Sequence, residues 1–313
     1  MGKGVVLVFH NEEDPVLFER TLMALKARYS LVTADQLQHL LSGKQQTRDL
    51  CHLSFDDGLS SFYSIVYPLL KKHGVPVSLF VSPQVILRRK NYWFQEIADY
   101  RDEVLRSILS EMLNIPAEVF EPFSVSAILK CLRVEQIFRL IERYQAETST
   151  ATKPCQNIDT AQLLELDRSG LVTIGAHTMC HPVLQNETEV NCTAEIAGSV
   201  EQLAWILGHP VRYFAYPNGR PNIDFGEREK RILEKANITM AFSTEPDTLC
   251  GNTDLLSVPR MSFARMGLVP SNPLVFLRLN LGKNWIDIRS IGKPTEYAVR
   301  EKLRLIVSGS AGY

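Results

Sequence analysis

Two rhythms of apolar residues alternate along the first third of the chain. "GVVLVFH" (4–10) is a short unbroken apolar run, the pattern of a strand buried on both faces. "DPVLFERTLMALKARY" (14–29) instead places Leu17, Leu22, Leu25 and Tyr29 near one helical face, behind an Asp14-Pro15 start. "TADQLQHLLSG" (33–43) predicts a second helix, opened by a Thr cap and closed at Gly43. "CHLSF" (51–55) predicts a strand, "SSFYSIVYPLLKKHG" (60–74) a helix stopping at Gly74, and "VPVSLFVSP" (75–83) another strand.

Residues 91–150 break the rhythm. "FQEIADYRDEVLRSILSEML" and "VEQIFRLIERYQ" predict amphipathic helices with no strand between them, so this stretch is expected to be a helical insertion. Alternation then resumes with helix 160–168, strand "LVTIGAH" (171–177), helix 189–207, strand "VRYFAYP" (211–217), helix 225–236, strand "ITMAFS" (238–243) and a short strand in "LLSVPR" (255–260). A last helix is expected within 295–308. Strand–helix–strand order implies parallel pairing through helical crossovers. About seven such units predict an α/β fold, an incomplete or distorted (β/α)7-type barrel with a helical insertion. The expected organisation is a barrel over 1–265, carrying the insertion at about 91–150, and a C-terminal helical extension over 266–313 packed on it. The insertion is expected to act as a lid or a subunit contact, the latter making a homo-oligomer.

Composition narrows the class. The 313 residues are 45% hydrophobic and 22% charged with a formal net charge of -1, which predicts a packed core and gives no support to a nucleic acid partner. No run approaches the roughly 20 apolar residues of a membrane span. The start, "MGKGVVLVFHNEED", lacks a leader's apolar stretch, and the six cysteines form no C-x-x-C pair. A reduced, cytoplasmic chain is the expectation.

The chemistry-bearing residues fall at strand ends. His10 follows the first strand, Asp56 and Asp57 the second, His177 the strand "LVTIGAH", with His181 four residues on. "YPNG" (216–219) and Arg260 end two more predicted strands. In a β/α barrel the C-terminal strand ends converge on one face, where active sites form. Loops are polar in any fold, which accounts for one or two such residues but not for this selection of His, Asp-Asp, His-x-x-x-His and Arg. In "HTMCH" (177–181) both imidazoles can reach one ion if the loop turns locally. Two His and one carboxylate make a three-ligand set that leaves coordination positions open. His39, His52, His73 and His209 read as ordinary surface or packed histidines.

"SFDDG", "HTMCH" and "FAYPNG", in that order, resemble the polysaccharide deacetylase family, also called carbohydrate esterase family 4 or the NodB-homology domain. The resemblance spans roughly residues 4 to 263 apart from the insertion. It implies an incomplete (β/α) barrel that removes acetyl groups from N-acetylated sugars with one divalent metal. It makes Asp56 the general base and Asp57, His177 and His181 the metal ligands. "FAYPNG" stands where many members have an arginine–proline–proline–tyrosine–glycine run, so Ala215 replaces the arginine and Asn218 the tyrosine. The tyrosine acts through its backbone N–H, which Asn218 keeps, and Tyr216, Pro217 and Asn218 are the expected substrate and oxyanion segment. Arg260 is the expected replacement for the arginine that orients the base.

No histidine follows His209, so the C-terminal Leu-x-His acid of many members is missing. The chain is more similar to the poly-N-acetylglucosamine deacetylase subgroup, in which a histidine at the end of the first strand is the acid, and His10 in "VFHNEE" takes that place. Tyr216, Trp93 and Phe94 are possible sugar-stacking surfaces, although packing is the simpler role for the last two. The implied activity is metal-dependent release of acetate from an N-acetylated sugar or polysaccharide. Zinc suits the ligand set, and nickel, cobalt or manganese fit comparable ones. Two alternatives stand beside it: a non-catalytic carbohydrate-binding relative, and a different metal-dependent C–N hydrolase on the same barrel.

Overall fold

The computed structural model describes residues 3–45, 47–263, 279 and 296–309. Eight strands share one parallel sheet: β1 (Val5–Phe9), β2 (Ser30–Leu31), β3 (Leu50–Asp56), β4 (Val77–Val81), β5 (Val172–Ala176), β6 (Tyr213–Ala215), β7 (Met240–Phe242) and β8 (Met261–Ser262). The order is β7-β6-β5-β4-β3-β1-β8, with the two-residue β2 paired to the start of β3. Residues 255–263 draw the two ends of the sheet together. Their first half bonds to β7 (Ala241 N–H to Leu255 O, Val258 N–H to Ala241 O) and their second half to β1. The result is a distorted (β/α)7 barrel with helices around it.

Alternation along the strands separates two cores. Val5, Leu7 and Phe9 of β1, with Leu53 and Phe55 of β3, pack outward under the helices. Val6, Phe80, Tyr213, Ala215, Met240 and Phe242 fill the barrel interior. His52, Ser54 and Asp56 share the interior face of β3, and His10 continues the interior face of β1 beyond its last residue. The site is thus a continuation of the inward-facing rows.

The helices form where apolar periodicity and caps coincide. Pro15–Arg28 starts on Asp14, whose side chain accepts from Val16 and Leu17 N–H, and Ala34–Ser42 starts on a Thr33–Gln36 capping box. The expected helix 60–74 departs from α geometry at its start. Phe62–Val66 is π-helical before Tyr67–His73 continues, because Pro68 has no N–H to give Ser64 and the Tyr67 N–H bonds instead to Phe62 O.

Ser30–Leu31 is a strand too short to show any periodicity, and no expectation covered it. Two local expectations are corrected. The amphipathic run expected from 94 to 113 is broken into Trp93–Glu96, a 3-10 turn and Asp102–Leu113. Tyr100 is extended there, its ring stacked on Tyr144 at 3.9 Å, while the Arg101 N–H donates to the Tyr144 hydroxyl. The strand expected at 255–260 begins only at Met261; Pro259 cannot donate to a ladder, so Arg260 precedes a strand instead of ending one.

The insertion has its own core, in which Leu105, Ile108, Leu109, Phe120, Ile128 and Leu140 pack together. The helix Glu296–Gly309 places Leu303 in that core and sends Arg304 to Ile223 O and Asn186. The expected boundary near 265 lies outside the described residues. No helix among the described residues is long and apolar enough to cross a membrane.

Candidate active site

Asp56 ends β3 pointing into the barrel, and Arg260 meets it there. Nη1 donates to Oδ1 at 2.7 Å and Nη2 to Oδ2 at 2.8 Å, a bidentate pair. The guanidinium also donates to Ser243 O and Ser54 Oγ and lies over the Phe80 and Phe242 rings. It has no solvent exposure. Burial pushes the Asp56 carboxyl up, but Arg260, with His177 and His10 behind it, outweighs burial and holds it down at about 2. Asp56 is therefore ionised throughout the neutral range.

On a regular strand Asp57 would face outward, opposite to Asp56. It turns inward because it adopts a left-handed φ of 71°, followed by Gly58 at 66°. Glycine is needed at 58 twice over, since a Cβ there would stand 2.8 Å from Val81 Cγ1. Thr178 (63°), His181 (62°) and Asn218 (58°) are left-handed as well. Backbone strain thus gathers where three strands end.

Asp57 Oδ1 lies 3.7 Å from Nε2 of His177 and 3.7 Å from Nε2 of His181. These separations are too long for hydrogen bonds and close to the roughly 3.4 Å between two ligands of one tetrahedral cation with bonds near 2.1 Å. His177 donates from Nδ1 to Ala215 O at 2.7 Å, which leaves the Nε2 lone pair facing Asp57. Burial pushes the His177 imidazole down to about 4, and pushes His181 well below its ordinary value with His177 adding to it. Both rings are neutral donors at pH 7. Asp57 is the opposite case: burial first, then Asp56, raise its carboxyl, and among the described residues Oδ1 has no hydrogen-bond partner. A buried orphan oxygen facing two lone pairs fits a divalent cation, which would reverse that shift. Asp57, His177 and His181 form a buried cluster whose donor atoms could hold one divalent cation.

The site opens into a cleft of about 440 Å³ lined by His10, Asn218, Arg220 and Thr244 from the barrel and Trp93, Phe94, Ser126 and Lys130 from the insertion. His10 is half-exposed, with Nε2 3.9 Å from Asp56 Oδ2. Trp93 and Phe94 belong to this wall as well as to the insertion's packing. Trp93 Nε1 donates to His181 O at 3.0 Å, and the Phe94 ring stands edge-on to His181. Tyr216 is a correction. As the next residue after inward-facing Ala215 it points outward, stacked on Phe225 at 3.5 Å with its hydroxyl on Leu256 O, and does not line the cleft. Pro217 does not line it either; its carbonyl accepts the Gly219 N–H that closes the turn around Asn218. Sequence reasoning missed Tyr92, whose hydroxyl donates to Asp57 O and accepts from Ser82 N–H. The run of three aromatics at 92–94, where the insertion begins, was its available signal. Lys130 and Arg220 carried none.

The comparisons agree with this geometry. A polysaccharide deacetylase family model matches residues 123–241, which include His177, His181 and Asn218 but not the Asp56-Asp57 pair. No curated protein matches the chain by sequence. Among solved structures, the Streptococcus pyogenes deacetylase PplD in complex with acetate superposes with a TM-score of 0.58 at 18% identity, covering 89% of this chain and 98% of that one. IcaB from Ammonifex degensii gives 0.58 at 20%, covering 91% and 97%. A de-N-acetylase from Aggregatibacter actinomycetemcomitans gives 0.56 at 17%, covering 90% and 99%. At these identities the superpositions show a shared fold. The family-model match and the order of the three motifs make the chain similar to the polysaccharide deacetylase family, and its fold is the barrel shared with IcaB and the other superposed structures.

Proposed function

We propose that this protein is a carbohydrate de-N-acetylase that hydrolyses the acetamido C–N bond of an N-acetylated saccharide, releasing acetate and a free amine. The observation that carries this reading is the pairing of two carboxylates in opposite states beside two neutral imidazoles. Asp56 is held anionic by Arg260, while Asp57 Oδ1 has no hydrogen-bond partner among the described residues, which suits a cation ligand. That division suits a proton acceptor next to a metal site.

Asp57, His177 and His181 would hold a divalent cation, which would supply Lewis acidity towards a water and the amide carbonyl. Asp56 takes the water's proton. Its low pKa makes it a weak base, so it serves because it is always ionised and oriented, with one lone pair on each oxygen turned from Arg260. The backbone at Asn218, held left-handed by the Gly219 turn, supports an N–H donor to the oxyanion. His10, at the rim beside Asp56, gives a proton to the leaving amine. The balance is one water consumed, its hydroxyl going to the acetyl carbon and its proton, through these side chains, to the nitrogen. Zinc is the metal we assign, from the His₂Asp donor set.

The arginine of many family members is replaced by Ala215, which left a non-catalytic relative as an alternative. The bidentate Arg260–Asp56 pair supports hydrolysis instead, since it supplies that cation from residues before β8. The test is acetate release from N-acetylglucosamine oligomers, with elemental analysis of the purified protein. Release should stop on chelation, return with added metal and be absent in Asp57→Ala. Metal-bound protein that releases no acetate from any N-acetylated saccharide would sink the reading.

A further inference from the structure

One ionisable group beside the metal site is not used by the reaction. Glu195 lies on the helix Glu189–Leu207, one turn after Cys192 and next to Ile196 on its buried face. Its Oε2 accepts from two successive backbone N–H groups, Met179 at 2.9 Å and Cys180 at 3.0 Å. These are the middle residues of "HTMCH", the loop whose ends are His177 and His181. Among the described residues no Lys or Arg lies within salt-bridge distance of Glu195, so its partner is the loop itself.

The loop needs such a partner. Thr178 and His181 are both left-handed, at 63° and 62°. The one bond closing the turn from inside is the His181 N–H to Thr178 Oγ1 at 2.9 Å. With Met179 and Cys180 bonded to Glu195, both central N–H groups are turned away from the metal and toward the helix. A Cβ placed at Gly198 would stand 3.7 Å from Met179 Cγ and Sδ, so the Met179 side chain packs over the same helix. Burial raises the Glu195 carboxyl to about 7, against the pull of the two N–H groups.

We infer that Glu195 is a positioning residue for the metal site, clamping the Met179 and Cys180 N–H groups so that His177 and His181 present Nε2 to one point. This rests on the assignment of Asp57, His177 and His181 as metal ligands. Partners of metal ligands typically contribute 10–100-fold in affinity, and Glu195 is expected to act within that range although it touches the loop and not the rings.

The test is titration of the metal-free protein with Co²⁺, reading affinity and the visible ligand-field spectrum. Wild type with an Asp57→Ala control identifies the site. Glu195→Ala is expected to bind Co²⁺ about 10–100-fold more weakly, with an altered spectrum and an unchanged far-UV signal. Glu195→Gln, whose amide oxygen can accept both N–H groups, is expected to restore affinity to within a few-fold. Glu195→Ala binding as tightly as wild type with the same spectrum overturns the proposal while leaving the ligand assignment intact; a wild type that binds no Co²⁺, or binds no better than Asp57→Ala, overturns both. If Glu195→Ala does not fold, Glu195→Asp decides: one methylene less of reach must weaken Co²⁺ binding several-fold, and equal affinity refutes the clamp.

Discussion

The barrel supplies His10, Asp56, Asp57, His177 and His181 to the cleft, whereas the insertion supplies Trp93, Phe94, Ser126 and Lys130. The barrel groups sit at the ends of strands or in the strained turns that follow them. Their charges are set by burial and by each other. The insertion groups ride on short helices with a separate core, and their contacts with the ligands are hydrogen bonds and ring edges: Tyr92 to Asp57 O, Trp93 to His181 O, Phe94 against His181. The difference teaches a division of labour. Chemistry rests on the sheet, where positions cannot drift. The proposed substrate wall rests on a module with a core of its own.

The comparison breaks most sharply at Asp56. Asp56→Asn should lower kcat by about 10²–10⁴ while metal content by elemental analysis stays at the wild-type level. Substantial residual kcat would move the base elsewhere. Arg260→Met should act next most strongly. It leaves a buried carboxylate without its cation, a change that typically costs about 3–5 kcal/mol in unfolding free energy. Any folded fraction should show the acidic limb of its pH–rate profile moved upward, because Asp56 then protonates at higher pH. An unmoved limb would mean that Arg260 does not set the ionisation of Asp56.

A third test stays within the barrel. Burial holds both His52 and His177 down at about 4, against an ordinary value of 6.5. For a group depressed on folding, the unfolded chain takes up the proton first. The stabilisation is therefore complete above pH 6.5 and is lost as pH falls toward 4, by at most roughly 3 kcal/mol per histidine. Urea midpoints of the metal-free protein should fall across that window, and His52→Gln, which touches no metal ligand, should flatten the slope. Identical slopes would exclude His52 as a source. The smallest effect is expected from the insertion. Phe94→Ala should raise KM several-fold with kcat nearly unchanged, in keeping with the roughly 1 kcal/mol an aromatic contact contributes. A fall in kcat instead would place Phe94 with the chemistry.

Much of this was legible in the amino-acid order, for a physical reason. Strand and helix periodicities are local, so the β/α rhythm and the insertion could be read directly; Asp56-Asp57, His177 and His10 stand out because each follows an apolar run, and His181 by its spacing from His177. Glycine at 58 announced the turn that lets both aspartates face inward. The interruption at Tyr100 was not legible, since it depends on Tyr144 elsewhere in the fold, whereas the delayed start of β8 has its cause in the sequence, at Pro259.

Sequence by itself determined the class of fold, the order of the motifs and the residue types of the metal site, because those follow from spacing along one strand or one loop. Only the tertiary structure decided who holds them. Arg260 reaches Asp56 from 204 positions away, Ala215 offers His177 its carbonyl, and Tyr216 turns its ring into the packing under the helices. Hydrogen bonds and ring contacts of this kind depend on distances in space that no local pattern encodes.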